Sequence, residues 1–439
     1  MKEGNISKWL LLFLSIVSFF VDSYANDIND AMNKTSREMS YSVKYGQHIL
    51  IDEHQDFENQ IENKNNSVFE IRHVLDLKNK TIKLPKECLL LFRGGFFING
   101  TIIGNNTTIE APNYQLFEPS CCVKGTFANA HLYADWFGDL QMAVNLASEN
   151  SGVLFLSAKV YNLSKSLNIK RGVSLIGCGN EAAFRENRGT IICYEGNDPV
   201  IILNGTTQNP AKNITIRNLK IRGNGENFHS GTNVGLYVGP KSYYCMVENV
   251  SIYACSNGVE LDNAWNLRFE SVNPYYCNNG FYLNGSSRAP LTASLFSTCV
   301  AYNCNVGFNF AGDMNATSIE SCATDGCATS MRLDGCFGVT VCSYEFERHS
   351  KYGVHIDSSD CYATFIGVCP RSPSSDDVTH IKIDKAGRVS FLDLFISESV
   401  LSTRGYSIDV DVDCITKTHF YNCNIHGRCV NLDKCFIMK

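Results

Sequence analysis

Residues of mixed chemistry recur down the second half of this 439-residue chain at intervals of 22 to 27 residues: Tyr237, Glu260, Tyr282, Asn309, Arg332, His355 and Lys382, followed by Ser407 and Asn431. Two residues beyond each lies a second set, Gly239, Asp262, Asn284, Ala311, Asp334, Asp357, Asp384, Asp409 and Asp433. One chemistry open to them is elimination. Arg332 or Lys382 would neutralise a uronate carboxylate and acidify the proton beside it, and Tyr282 or His355 would remove that proton. Another is glycoside hydrolysis, with Asp334 and Asp357, together with Glu260, supplying acid and base; a carboxyl separation near ~5 Å suits a retaining pair and a wider one an inverting pair. Tyr237, Asn309, Lys382, Trp265 and Tyr276 are the candidates for holding a substrate by stacking, hydrogen bonding and charge. The Asp set has a structural explanation too, since Asp and Asn just after a strand bond the backbone of the following turn. A Ca2+ ion could sit on such a row, but no metal site or other cofactor is expected.

The elements that must position these residues repeat with them. Gly258-Val-Glu-Leu-Asp262, Gly280-Phe-Tyr-Leu-Asn284, Ser330-Met-Arg-Leu-Asp334 and Gly353-Val-His-Ile-Asp357 each open on a small residue and alternate apolar with variable. Alternation of period two makes each a strand, with the variable residue facing solvent. A repeat of this length marks a solenoid whose coils bury their apolar faces only by stacking. Each period holds two or three short apolar runs separated by Asn, Gly and Ser, as in Asn249-Val-Ser-Ile-Tyr253, Val259-Glu-Leu261 and Asn266-Leu-Arg-Phe-Glu-Ser-Val272. The expectation is an all-β, three-sided, right-handed parallel β-helix. Leucine-rich and helical repeats are excluded by the missing leucine consensus and the missing 3.6-residue rhythm.

Of the 20 cysteines, Cys255, Cys277, Cys304 and Cys327 each sit three residues before a repeated strand. Stacked one coil apart they would form an internal ladder, at a spacing of about 4.8 Å that also falls within disulfide reach. His419, Cys423, His426 and Cys429 have zinc-ligand types, but strand alternation would scatter them over both faces.

The apolar run from Trp9 to Val21, behind Lys2 and Lys8 and ahead of Ser23-Tyr24-Ala25, predicts a cleaved signal peptide over 1–25. No Cys follows it to carry a lipid, so a secreted, periplasmic or cell-surface location is expected. No stretch is long enough for a membrane span. Residues 26–67 read as a flexible lead-in, 68–128 as a small N-terminal β module, and 129–439 as the β-helix domain. Residues 139 to 149 suit a short amphipathic helix capping the open end of the β-helix. A net charge of -6 and a pI near 6.0 give no reason to expect nucleic acid.

Residues 136 to 179, with Trp136-Phe-Gly138, Gly152-Val-Leu-Phe-Leu156, Val160-Tyr-Asn-Leu163 and Gly172-Val-Ser-Leu-Ile-Gly-Cys-Gly179, resemble the opening of the pectate-lyase superfamily. Residues 72 to 111, with Leu75-Asp-Leu77, Ile82-Lys-Leu-Pro85, Phe92-Arg-Gly-Gly-Phe96 and Asn99-Gly-Thr-Ile-Ile-Gly-Asn105, resemble the leading module of exported β-helix proteins from gut Bacteroidota. The resemblance implies an exported protein that binds and cleaves a complex or acidic polysaccharide, as a lyase or glycoside hydrolase. The alternative is a non-catalytic glycan-binding or adhesin-like surface protein, whose exposed stripe would carry aromatics and amides without converging ionisable groups. The chain departs from the family where Gly138 runs straight into Asp139-Leu-Gln141. It has no Gly-His-Gly, and Ala323-Thr-Asp-Gly326 only loosely resembles the polygalacturonase Asn-Thr-Asp-Gly.

Overall fold

The computed structural model describes residues 44–150, 152–180, 188–286, 290–401 and 404–438; the expected signal peptide lies outside them. The chain divides into two compact units, one ending at Asn129 and the other beginning at Ala130.

In the first unit, Gln47–Leu50, Ser67–Ile71, Leu89–Phe92 and Gly100–Glu110 pair in parallel in that order, so the module is itself built of coil-like turns. The sequence predicts no regular structure before residue 68. Instead Gln47–Leu50 pairs with Ser67–Ile71, and a helix at Phe57–Ile61, N-capped by Asp56, buries Phe57 and Ile61. Those two residues lie four apart on a five-residue helix, a segment too short to show a period.

In the second unit the repeated strands form one 11-stranded parallel sheet, from Leu167–Ile169 to Cys429–Val430. Other strands of each coil make the two remaining walls. Trp265–Tyr275 spans both, bending at Ser271; the next coil breaks there into Leu295–Ser297 and Val300–Tyr302, with Thr298 between them. The corner residues stack in register: Asn218, Asn249, Ser271, Thr298, Ser321, Ser343, Gly367, Asp393 and Asn422, all with φ between 51° and 61°. Left-handed backbone costs an L-residue about 1–2 kcal/mol, which short polar side chains offset by local hydrogen bonding. Here they bond along the stack: Asn249 Nδ2 donates to Asn218 Oδ1 at 2.9 Å, and Asn422 Nδ2 to Asp393 Oδ1 at 2.6 Å.

The small residue that opens each repeated strand is required by a close approach. A Cβ on Gly258 would lie 2.6 Å from Pro274 Cβ and 2.7 Å from the Gly280 carbonyl oxygen. Inside the coils like residues stack, with Phe269 on Phe296 at 4.8 Å and Phe281 on Phe308 at 4.5 Å. Cys255, Cys277, Cys304 and Cys327 are free and fully buried at one corner. Cys255, Cys277 and Cys304 donate to the carbonyls of Tyr253, Tyr275 and Tyr302, and Cys327 donates to that of Ala301. The helix Leu140–Glu149 buries Ala143, Val144, Leu146 and Ala147 and packs on the first strands of the unit, with Asp139 accepting from the Met142 amide as its N-cap.

The core also holds a histidine pair. His380 Nε2 donates to the Val400 carbonyl at 2.9 Å, which leaves its Nδ1 to accept from His349 Nε2 at 3.0 Å. Burial, with His380 alongside, pushes the His349 pKa down to about 3, and burial also lowers that of His380. The unfolded chain takes up protons near pH 6.5 that the native state refuses, so stability falls as pH drops from 6.5 towards 3. Denaturant midpoints measured between pH 7 and pH 4 should decline, and the His349→Gln/His380→Gln pair should decline less steeply.

Candidate functional site

The candidate residues lie on the outer face of the 11-stranded sheet, and the register decides which of them adjoin. Ile202, Tyr237, Glu260, Tyr282, Asn309, Arg332, His355, Lys382 and Asp409 are successive Cα partners, each one coil from the next. The last two members predicted from sequence are corrected. Ile381 pairs with Ile408, which puts Asp409 opposite Lys382 and buries Ser407; Asp409 in turn pairs with Val430 and not Asn431. The second row is also broken. A bulge sets Asp357 opposite Lys385, so Asp384 is the extra residue and leaves the row.

That bulge builds a charged network. His355 Nε2–H donates to Asp384 Oδ2 at 2.9 Å, Lys382 Nζ lies 3.0 Å from Asp384 Oδ1, and the same Nζ donates to Asp409 Oδ2 at 2.7 Å. The bond to Asp384 fixes the neutral His355 ring with its proton on Nε2, leaving Nδ1 as the proton acceptor. Burial pushes the Asp384 carboxyl up, but the bonds from His355 and Lys382 outweigh it and hold Asp384 below the ordinary carboxylate value. Burial likewise lowers Lys382, and its bonds to Asp409 and Asp384 outweigh that and raise it above an ordinary lysine. Tyr352, three residues before His355 on the same strand, packs its ring 4.6 Å from the imidazole.

Arg332 stands one coil from His355 and pairs with Asp334 at 2.8 Å. Its Nε is buried without a partner, as is the Oδ1 of Asn309 on the adjoining coil. A buried donor and a buried acceptor left open side by side are rare in a native protein. Asp357 is held by Lys385 at 2.9 Å.

Further along the row the chemistry is that of amides. Asn309 Nδ2 donates to Asn279, Asn279 Nδ2 to Asn257, and Asn257 Nδ2 to Glu260 Oε2 at 2.6 Å, a one-way chain ending on a carboxylate. Tyr237 donates to Asp262 at 3.3 Å, and burial together with that carboxylate pushes the phenol up to about 12, so Tyr237 is a neutral donor. Trp265 and Tyr276 sit at opposite edges of the sheet. Trp265 follows the strand end at Asp262 and stacks on Tyr243 at 4.8 Å; Tyr276 precedes the strand start at Asn279 and stacks on Phe228 at 4.0 Å.

The structure thus brings Arg332, His355 and Lys382 onto three successive coils, whereas Tyr282 lies two coils from Arg332. Glu260 is three coils from Arg332 and its neighbour Asp334, roughly 14 Å at the coil spacing, wider than either hydrolase pair. Sequence reasoning missed Asn257, Asn279 and Tyr352, which share the position before the strand-opening glycine and so had a signal. It also missed the bulge, visible as one extra residue in Ile381-Lys-Ile-Asp-Lys385. His419, Cys423 and His426 do not converge: His419 meets Tyr421, Cys423 donates to backbone, and His426 faces Glu398.

Residues 234–367 match the family model of the right-handed β-helix region. This stretch is a right-handed β-helix. No curated protein matches the chain. Among solved structures, ORF18 of Geobacillus virus E2 is similar over 58% of this chain and 53% of its own, at 14% identity and a TM-score of 0.41. An Acinetobacter phage gp42 tailspike is similar over 68% and 64%, at 11% identity and 0.43. An alginate lyase from Paenibacillus sp. is similar over 68% of this chain and 95% of its own, at 12% identity and 0.37. The chain therefore spans about half of the viral protein and under two thirds of the tailspike.

The network has a defined pH window. Asp384, depressed below 3.8, contributes stability that is present above that value and lost as pH falls through its folded pKa. Lys382, raised above 10.5, contributes stability that is full below that value and lost as pH rises through its folded pKa. Lys382→Met should lower stability most between these limits and raise the Asp384 titration midpoint, read by carboxyl 13C NMR, because Asp409 then faces it without a shared cation.

Proposed function

We propose that this chain is exported and binds a uronate-containing polysaccharide along the outer face of the 11-stranded sheet, cleaving it by β-elimination. The observation that carries the reading is Arg332 set one coil from His355, a cation beside an imidazole whose proton is fixed by a carboxylate. Arg332, whose side chain is 41% exposed, would take the sugar carboxylate on its outward guanidinium nitrogens and stabilise the charge that develops when the adjacent C5 proton leaves. His355 Nδ1 accepts that proton, the electron pair forms the C4–C5 double bond, and the C4–O bond breaks. The leaving oxygen takes its proton from Tyr352 or water. Asp409 holds Lys382, Lys382 holds Asp384, and Asp384 holds the imidazole; these are positioning residues.

Trp265 and Tyr276, each already in an aromatic stack, support sugar contact at the two edges of the sheet, and the amides of Asn257, Asn279 and Asn309 support hydrogen bonding between them. The apolar run behind Lys2 and Lys8 supports export. Converging ionisable groups at Arg332, His355, Asp384 and Lys382 favour catalysis over silent binding.

Polygalacturonate, alginate and a glucuronate-containing polymer, each incubated with the chain from residue 26, test this by ultraviolet absorbance of unsaturated uronate. One polymer should give a rise that Arg332→Ala and His355→Ala each slow by about 10²-fold or more. A rise unchanged in both variants would remove these residues from the chemistry. Binding without any rise would leave the non-catalytic glycan binder.

A further inference from the structure

Two cysteines stand apart from the rest. Cys336 and Cys361 open the paired strands Cys336–Cys342 and Cys361–Ile366 and are direct Cα partners in the parallel register. Their sulfurs lie 3.1 Å apart, and both side chains are buried. The other clustered thiols also neighbour one another, but each of these in addition reaches a backbone carbonyl. Cys255, Cys277 and Cys304 donate to carbonyls two residues back, and Cys299 and Cys322 donate to those of Ser297 and Glu320. For Cys336 and Cys361 the hydrogen-bond partner among the described residues is the other cysteine alone. Neighbouring parallel strands hold Cα atoms about 4.8 Å apart, within the range a disulfide spans without moving the backbone.

We propose that Cys336 and Cys361 join as a disulfide when the chain folds in the presence of a disulfide oxidant, and that the bond staples the coil of Arg332 to the coil of His355. Cys336 lies four residues after Arg332 and Cys361 six after His355, so the staple closes the strand-end edge of the same two coils. Phe337 and Tyr362 follow the cysteines directly, are 58% and 41% exposed, and pack with ring centroids 4.8 Å apart. The bond therefore also fixes an exposed aromatic pair beside the row. It forms by exchange before burial is complete: one thiolate attacks the oxidant's S–S bond to give a mixed disulfide, and the second displaces the remaining thiol. Two protons leave, the oxidant's disulfide is reduced to two thiols, and one S–S bond replaces another. The inference stands whether or not the chain is a lyase.

The test is refolding of the full chain in oxidised and reduced glutathione, alkylation under denaturing conditions without reduction, and peptide mass spectrometry. The expected result is one cross-linked peptide pair containing Cys336 and Cys361, with the other eighteen of the 20 cysteines alkylated. The oxidised chain should melt a few degrees above the reduced chain, and Cys336→Ala should melt with the reduced wild type in both buffers. Alkylation of both cysteines after oxidative refolding, cross-linking of either to another cysteine, or equal melting of the oxidised and reduced chains would overturn the proposal. The wild-type peptide map decides even if the variant fails to fold.

Discussion

The structure of the second unit depends on a backbone constraint, the left-handed residue on which each coil turns between its second and third walls. From Asn218 to Asn422 that position is held at φ between 51° and 61° by residues that, apart from Gly367, are short and polar. Because the coils from Asn218 to Asn422 bend at the same place, the strands that follow begin in register. Phenylalanine then falls on phenylalanine, cysteine on cysteine and, outside, one functional side chain on the next. A coil of 22 residues and one of 27 can alternate because the extra residues are taken up in the connections, not in the walls.

The same stacking that orders the core creates an electrostatic problem on the surface. Side chains one coil apart are close enough that a row of like charges would destabilise the sheet. Arg332, His355 and Lys382 follow one another on the row, and carboxylates beside them meet each: Arg332 takes Asp334, His355 and Lys382 share Asp384, Lys382 also takes Asp409, and Lys385 takes Asp357. The bulge at Asp384 matters because it supplies one carboxylate that bonds both a histidine and a lysine which the register holds side by side. Ion pairing here serves orientation more than stability, since half-exposed pairs contribute little.

Much of the fold was legible because the solenoid writes its period directly into the chain. Alternation about Glu260, Tyr282, Arg332 and His355 showed strands, their spacing showed coils, and the apolar stripe from Ala143 to Ala147 showed the helix. The outward row was legible through Lys382 for the same reason. Register beyond that point was not: Tyr406-Ser-Ile-Asp409 matches the repeat grammar equally well when slid by two residues, and only packing of Ile408 against Ile381 chooses between them. The pairing of Asp384 with His355 also escaped, because a bulge is a property of two strands and leaves in one strand merely an extra residue. The strand at Gln47–Leu50 had too few residues for a period to appear.

Binding of a uronate polymer along this row is tested most directly by a crystal structure of the His355→Ala chain with a saturated oligosaccharide from polygalacturonate or alginate, whichever it binds. The account predicts a sugar chain lying along the row from Glu260 to Lys382, with a carboxylate on Arg332 and the adjacent C5–H directed at the space left by the imidazole. A sugar bound on another wall, or one whose carboxylates point away from Arg332, would contradict it.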